Sequence, residues 1–151
     1  MSKEKTFVMI KPDGVQRGFV GEIISRFEKK GLKIVAMKFL SVPKDLAEKH
    51  YGIHKGKSFF KPTVEYIISS PVLAMVLEGN NAINTVRSMM GKTNPQDAEM
   101  GTIRGDYAQF IGRNIVHGSD GPDTAKFEIN LWFKPEEITN YERIDEQWLT
   151  E

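Results

Sequence analysis

Asn114-Ile115-Val116-His117-Gly118-Ser119-Asp120 is the stretch around which the rest of this 151-residue chain is organised. Ile115 and Val116 read as the end of a short buried strand. Gly118 and the run Ser119-Asp120-Gly121-Pro122 read as a turn that then opens a helix. His117 thus sits where a strand stops and the backbone bends. An imidazole fixed at its base with one edge open to a cleft is a nucleophile near neutral pH, because its unperturbed pKa is about 6.5. A hydrogen-bonded surface histidine is the plainer reading of the same position, and the rest of the chain decides between the two.

Downstream, Pro122 suits the first position of a helix, and Ala125, Ile129 and Trp132 mark its buried face. Glu128 shares that face. An inward carboxylate is costly without a partner, and the nearest unassigned polar groups are Ser119 and His117. From Lys134 onward, Pro135, Glu136 and Glu137 open a last short helix. Residues 140–151 form a polar tail whose Tyr141 and Trp148 are expected to pack on their own domain or on a neighbouring subunit.

Upstream, residues 6–10 are apolar and partly β-branched, a buried strand that ends at Lys11 and the turn Pro12-Asp13-Gly14. Lys11 is either solvated there or delivers a cation to a site at the sheet edge. Residues 18–30 place Phe19, Val20, Ile23, Ile24 and Phe27 at helical spacing, with Gly31 as the C′ residue. Residues 32–40 alternate Leu32, Ile34 and Ala36 against Lys33, Val35 and Met37, a second strand. Residues 43–51 form a short charged helix. His50 and His54 are four apart, which invites a metal reading, but no carboxylate completes a zinc pattern and a polar surface helix end is the better reading. Phe59-Phe60 with Val64, Ile67 and Ile68 predicts another helix; one of the two aromatics is free to lie at a cleft mouth and stack on a planar ligand, unless both pack at the helix start. Residues 71–77 predict a third strand. Residues 81–90 predict a helix with Ile83, Val86 and Met90 inward and Arg87 near its C-terminal turn, where a purely structural role would suffice.

Residues 91–113 are the longest irregular stretch, and long loops in compact domains are usually functional. Gly91-Lys92-Thr93 looks like the end of a phosphate-binding P-loop, but that pattern needs glycine where Val86 stands. Within the same stretch Thr102 is placed to cap a single helical turn that holds Arg104.

The length fits one domain, residues 1–151, with a sizeable core. Hydrophobic residues make up 40% and charged residues 27%, ordinary for a globular protein, and a net charge of +1 argues against a strongly basic nucleic-acid binder. The absence of cysteine excludes a disulfide scaffold and a thiolate metal site. No apolar signal segment precedes the first strand and no apolar run approaches the length of a membrane span, so a cytoplasmic protein without a membrane partner is the default expectation.

Lys11, Arg87 and Arg104 supply cations, Thr93, Asn114 and Ser119 neutral hydrogen-bonding groups, His117 a nucleophile and Glu128 a buried acid. Two arginines and a lysine around an imidazole suit a substrate carrying several phosphates, since cations stabilise the charge spread over a transferring phosphoryl group. A histidine attacked by phosphorus becomes a phosphoramidate, which divides a double transfer into two single steps.

The seven residues 114–120 resemble the active-site signature of nucleoside diphosphate kinases. Lys11-Pro12-Asp13-Gly14-Val15-Gln16-Arg17-Gly18 resembles the family's N-terminal motif, Gly91-Lys92-Thr93-Asn94-Pro95 and Gly101-Thr102-Ile103-Arg104-Gly105-Asp106 its central loop, and Leu131-Trp132-Phe133-Lys134-Pro135-Glu136-Glu137 its C-terminal helix motif. The resemblance implies a ferredoxin-like α/β sandwich, of the α+β kind, with a four-stranded antiparallel sheet. It implies γ-phosphate transfer from ATP and other nucleoside triphosphates to nucleoside diphosphates, by a ping-pong route through a phosphohistidine, with Mg²⁺ held mainly by the nucleotide phosphates. Carried over by position, His117 is the nucleophile, phosphorylated on Nδ1, and Glu128 and Ser119 orient it. Lys11 and Asn114 meet the ribose hydroxyls, with Lys11 also near the transferring phosphate, and Tyr51 stands beside the catalytic centre. Arg87, Thr93 and Arg104 contact phosphates, while Phe59 stacks on the base opposite Ile111. No metal-ligating residue is carried over. Stacking reads no base edge, so little base discrimination is expected.

The chain departs from the family pattern at Ser58-Phe59-Phe60-Lys61-Pro62-Thr63, where Thr63 stands in place of an apolar residue that commonly covers the base. The tail ending Trp148-Leu149-Thr150-Glu151 is similar to that of hexameric members, so a homo-hexamer is expected. A non-catalytic member of the same fold would have lost the histidine or its cations, which are all present. An RNA-binding domain of the RRM type would need aromatics on an RNP1-like strand, and no such stretch exists.

Overall fold

The computed structural model describes residues 3–151. In chain order the elements are β1 (Lys3–Ile10), α1 (Pro12–Gln16), α2 (Val20–Lys29), β2 (Lys33–Leu40), α3 (Lys44–His50), α4 (Phe60–Ile68), β3 (Val72–Asn80), α5 (Ala82–Met90), α6 (Ile103–Tyr107), β4 (Val116–Gly118) and α7 (Pro122–Trp132). Short 3₁₀ turns lie at Gly52–His54, Pro95–Asp97, Pro135–Glu137 and Glu146–Trp148. The strands form a four-stranded antiparallel sheet in the order β2-β3-β1-β4.

Alternation along the strands makes two cores. Phe7 and Met9 of β1 and Val72, Ala74 and Val76 of β3 face Ala47 of α3, Val64 and Ile67 of α4, and Ile129 and Trp132 of α7. Val8, Ile10, Leu73, Met75 and Leu77 face the other way, onto Ile23 and Phe27 of α2, Ala82, Val86 and Met90 of α5, and Ile103 of α6. Each fully buried Val, Leu, Ile, Phe or Met among them contributes roughly 1.5–3 kcal/mol. The result is the ferredoxin-like α+β sandwich expected from the resemblance.

Several local expectations are corrected. His117 is not at the end of a strand: it is the middle residue of β4, paired with Met9, and the backbone bends earlier, at Ile115. The turn after Lys11 continues as α1, and α2 starts at Val20 rather than at residue 18. In β2 the alternation slips at a bulge between Ile34 and Ala36, so Val35 and Ala36 are both buried and Met37 turns outward. Gly31 does follow α2 in the left-handed conformation (φ +97°). Phe59 and Phe60 divide as one outer and one inner ring: Phe60 packs against the core and Phe59 is exposed. The tail lies on its own chain, with Thr139 N–H donating to Val35 O at 2.8 Å and Tyr141 OH donating to Ile34 O at 2.8 Å, while Trp148 stays exposed. Among the described residues no helix is long and apolar enough to cross a membrane.

Candidate active site

The site starts from a strained turn. Ile115 has φ +73°, a left-handed conformation that a β-branched residue rarely adopts, and Val116 N–H donates back to Asn114 O at 2.8 Å, closing a γ-turn. Such strain persists only where the surroundings over-determine it. Here Ile115 N–H donates to Asp13 Oδ2 at 3.0 Å, and Lys11 N–H donates to Ile115 O at 2.8 Å. Arg104 grips the carbonyls on either side: Nε donates to Asn114 O at 3.2 Å and Nη2 to Val116 O at 2.6 Å, while Nη1 reaches Gly91 O at 3.0 Å. Thr102 caps the short helix carrying Arg104, its hydroxyl accepting from Gly105 N–H at 3.0 Å. The turn sends Asn114 to one side and starts β4 on the other, so that His117 projects on the face shared with Phe7, ring to ring at 5.9 Å.

Helix α7 begins at Pro122, and its inward face brings Glu128 under His117. His117 Nε2 lies 3.0 Å from Glu128 Oε1 and 3.1 Å from Oε2, and Ser119 Oγ donates to Oε1 at 2.6 Å. Burial alone would raise the Glu128 carboxyl, but the hydrogen bond from His117, with Ser119 behind, holds it below the usual carboxylate range. The carboxylate therefore fixes the proton of His117 on Nε2, and Nδ1 keeps its lone pair.

A cleft of about 720 Å³ opens over His117. Lys11, Tyr51, His54, Arg87, Thr93, Arg104, Asn114, His117 and Glu128 all line it. Lys11 Nζ donates to Asn114 Oδ1 at 2.8 Å, and Asn114 Nδ2 donates to Thr93 O at 3.0 Å. Burial, reinforced by Arg104 and opposed by Asp13, pushes Lys11 down to about 8. Burial and the neighbouring Arg87 lower Arg104 to about 10. Burial and the Glu128 charge raise the Tyr51 phenol. Ser119 is fully buried behind Glu128 rather than in the cleft wall. Phe59 and Ile111 do not line this cleft and are exposed, although Phe59 stands beside His54, ring centroids 5.0 Å apart. Of the cleft carboxylates, Glu128 is engaged, leaving Asp120 and Asp123.

Three supports, His50, Asp13 and Tyr66, carry no signal of this role in the sequence. His50 is not a polar surface residue: it is buried, wedged between Tyr51, His117 and Trp132. Its partner Trp132 comes from α7, 82 residues away, so only the tertiary fold could reveal it. Asp13 braces the strained turn and is itself held by Tyr66, whose hydroxyl donates to its other oxygen. The apolar spacing around α7 is the one signal that reached this network, through Glu128.

The family model described as nucleoside diphosphate kinase matches residues 4–138. A curated nucleoside diphosphate kinase of a Picosynechococcus species is 58% identical over 148 residues, 98% of this chain and 99% of the relative. One from Archaeoglobus fulgidus is 57% identical over 148 residues, 98% of each chain. Among solved structures, a halophilic nucleoside diphosphate kinase from Halobacterium salinarum in complex with CDP superposes with a TM-score of 0.97 at 48% identity, covering 99% of this chain and 100% of that one.

Proposed function

The chain belongs to the nucleoside diphosphate kinase family, and from that premise we propose that His117 Nδ1 is the atom through which the phosphoryl group passes. The protein is a nucleoside diphosphate kinase, moving the γ-phosphate of a nucleoside triphosphate to a nucleoside diphosphate by the family's ping-pong route. The observation that carries the assignment is the pairing of Glu128 with His117 Nε2, at 3.0 and 3.1 Å, which leaves Nδ1 as the free nucleophile.

In the first half-reaction the Nδ1 lone pair attacks the γ-phosphorus. The bond to the β,γ-bridging oxygen breaks, and its electron pair leaves on the nucleoside diphosphate. Positive charge gathers on the imidazole as the P–N bond forms, and the buried Glu128 carboxylate stabilises it. In the second half an incoming β-phosphate oxygen attacks the same phosphorus, the P–N bond breaks, and its pair returns to Nδ1. Arg87, Arg104, Thr93 and Lys11 hold the phosphates, with the charge on the transferring group met by fixed cations. Lys11 and Asn114, joined at 2.8 Å, present a donor and an amide to the ribose hydroxyls. Tyr51 closes the side of the centre. Phe59 and Ile111, exposed outside the cleft, are the base platform and its opposite wall, a contact that favours no particular base.

Mg²⁺ would arrive on the nucleotide, take its oxygen ligands mainly from the phosphates and neutralise their charge; Asp120 and Asp123 are the cleft carboxylates not already engaged by His117. The working assembly is a homo-hexamer, and a cytoplasmic setting is the one this reading implies. The test is to incubate the protein with γ-labelled ATP and Mg²⁺, weigh the intact chain, and chase with GDP. One added phosphoryl group, recovered in GTP, is the expected result, and His117→Ala gains none. Equal labelling of His117→Ala contradicts the assignment.

A further inference from the structure

We propose that His50 is a positioning residue, whose Nε2–H, fixed in place by Trp132, sets the plane of the Glu128 carboxylate that in turn orients His117. The inference rests on the reading of His117 as the phosphorylated group, and it adds a layer beneath it.

The starting observation is that His117 does not choose between the two carboxylate oxygens: its Nε2 is 3.0 Å from one and 3.1 Å from the other. The rotation of the carboxylate must therefore be set from elsewhere. Ser119 takes Oε1 at 2.6 Å. Oε2 faces His50 Nε2 at 3.6 Å. That separation is longer than a hydrogen bond, but an N–H dipole aimed at a buried carboxylate is attractive in a low-dielectric interior.

What makes His50 a donor on that side is Trp132. An indole N–H can only donate, and it lies 3.0 Å from His50 Nδ1. Nδ1 must then carry a lone pair, so the single proton of the neutral ring sits on Nε2, toward Glu128. Burial pushes His50 down to about 3, which keeps the ring neutral across the working range. The ring cannot swing away: it meets Tyr51 edge to face at 4.6 Å, His117 at 4.8 Å and Trp132 at 5.6 Å. The order Trp132, His50, Glu128, His117 is a chain of four side chains from α7, α3, α7 and β4, each fixing the next.

The same tautomer argues against the other use of this cluster. His50, His117 and Glu128 place potential ligand atoms within 4.8 Å of one another, as a metal site would. A metal on His50 Nε2 would need a lone pair there, which would drive the proton onto Nδ1 against the Trp132 N–H. The cluster is a carboxylate hydrogen-bonded to His117 with the His50 N–H dipole facing its other oxygen.

The test uses the full-length enzyme with isotope-labelled histidine. Nitrogen–proton NMR of the unphosphorylated protein is expected to show His50 protonated on Nε2 alone, and Trp132→Phe to lose that selectivity. In steady-state kinetics His50→Gln, whose amide N–H₂ reaches the Nε2 position, is expected to stay within a few-fold of wild type. His50→Asn, whose amide is too short to reach it, is expected to lose about tenfold or more in kcat with KM unchanged, the scale of losing a supporting partner. Melting temperatures sort the variants. A protonated Nδ1 on His50 in the wild type overturns the proposal, as does equal loss of kcat in His50→Gln and His50→Asn at equal melting temperature. A wild-type enzyme that takes no phosphate on His117 overturns the underlying reading, whatever the His50 tautomer.

Discussion

At the scale of single residues the site is an arrangement of shifted protons. Lys11 is the clearest case. It is held against Asn114 and pushed by burial, and then by Arg104, from 10.5 down to about 8. The fold disfavours its charged form, so this group lowers stability below about pH 8, and that cost is relieved as pH rises toward 10.5. For the proposed catalysis the sign is opposite, because Lys11 is proposed to meet the phosphates as a cation. The profile of kcat/KM against pH reports the free enzyme, and it is expected to fall on its alkaline side with a midpoint near 8. In Lys11→Arg, slower overall, that limb should move beyond the measurable range; a limb that stays in place assigns it to another group. His117, Ser119 and Glu128 were legible in the sequence because the helical period puts Glu128 on an apolar face where a carboxylate needs a partner. His50 was not legible: its neighbours in sequence are Lys49 and Tyr51, and its burial comes from α7.

At the scale of elements the decisive object is the γ-turn that delivers β4. The apolar, partly β-branched run 6–10 and the apolar run 71–77, bounded by Pro71 and Gly79, made β1 and β3 readable, and the capped turn at Thr102 was readable from its hydroxyl. The positive φ of Ile115 was not, since nothing in a β-branched residue signals a left-handed backbone. Nor was the β2 bulge, which pairing with β3 reveals only in the sheet. Gly14 shows how tightly the turn is held. A Cβ added there would sit 2.8 Å from Ile10 Cγ2 and 3.0 Å from both Ile115 O and Ile115 Cγ2. Gly14→Ala therefore pushes on the strained turn itself. Urea unfolding should show a loss of about 1–3 kcal/mol, the usual cost of overpacking, and turnover should fall because Asn114 and His117 shift with Ile115. Wild-type values for both would mean that the turn is free to move.

At the scale of the molecule, β2 is an edge strand with Phe39 exposed, and the tail laid across the start of β2 leaves Ile144 and Trp148 exposed. Unpaired strand edges and exposed aromatics invite contact with another chain. The proposed hexamer is the assembly that would cover them. Sedimentation equilibrium should return the mass of six chains, and deletion of residues 140–151 should reduce it; a wild-type mass of four chains or one would remove the hexamer from the account. Oligomeric state was suggested in the sequence by two aromatics in a polar tail. Tyr141 is accounted for by its own strand β2, through Ile34 O at 2.8 Å, whereas Trp148 is not.

Glu128 is proposed to hold Nε2 of His117 and so to send the phosphoryl group to Nδ1. The direct measurement is phosphorus–nitrogen correlation by NMR on the phosphoenzyme, made with MgATP from protein carrying isotope-labelled histidine. One phosphohistidine is expected, on His117, with phosphorus bonded to Nδ1. Phosphate on Nε2, or on any other residue, would contradict it.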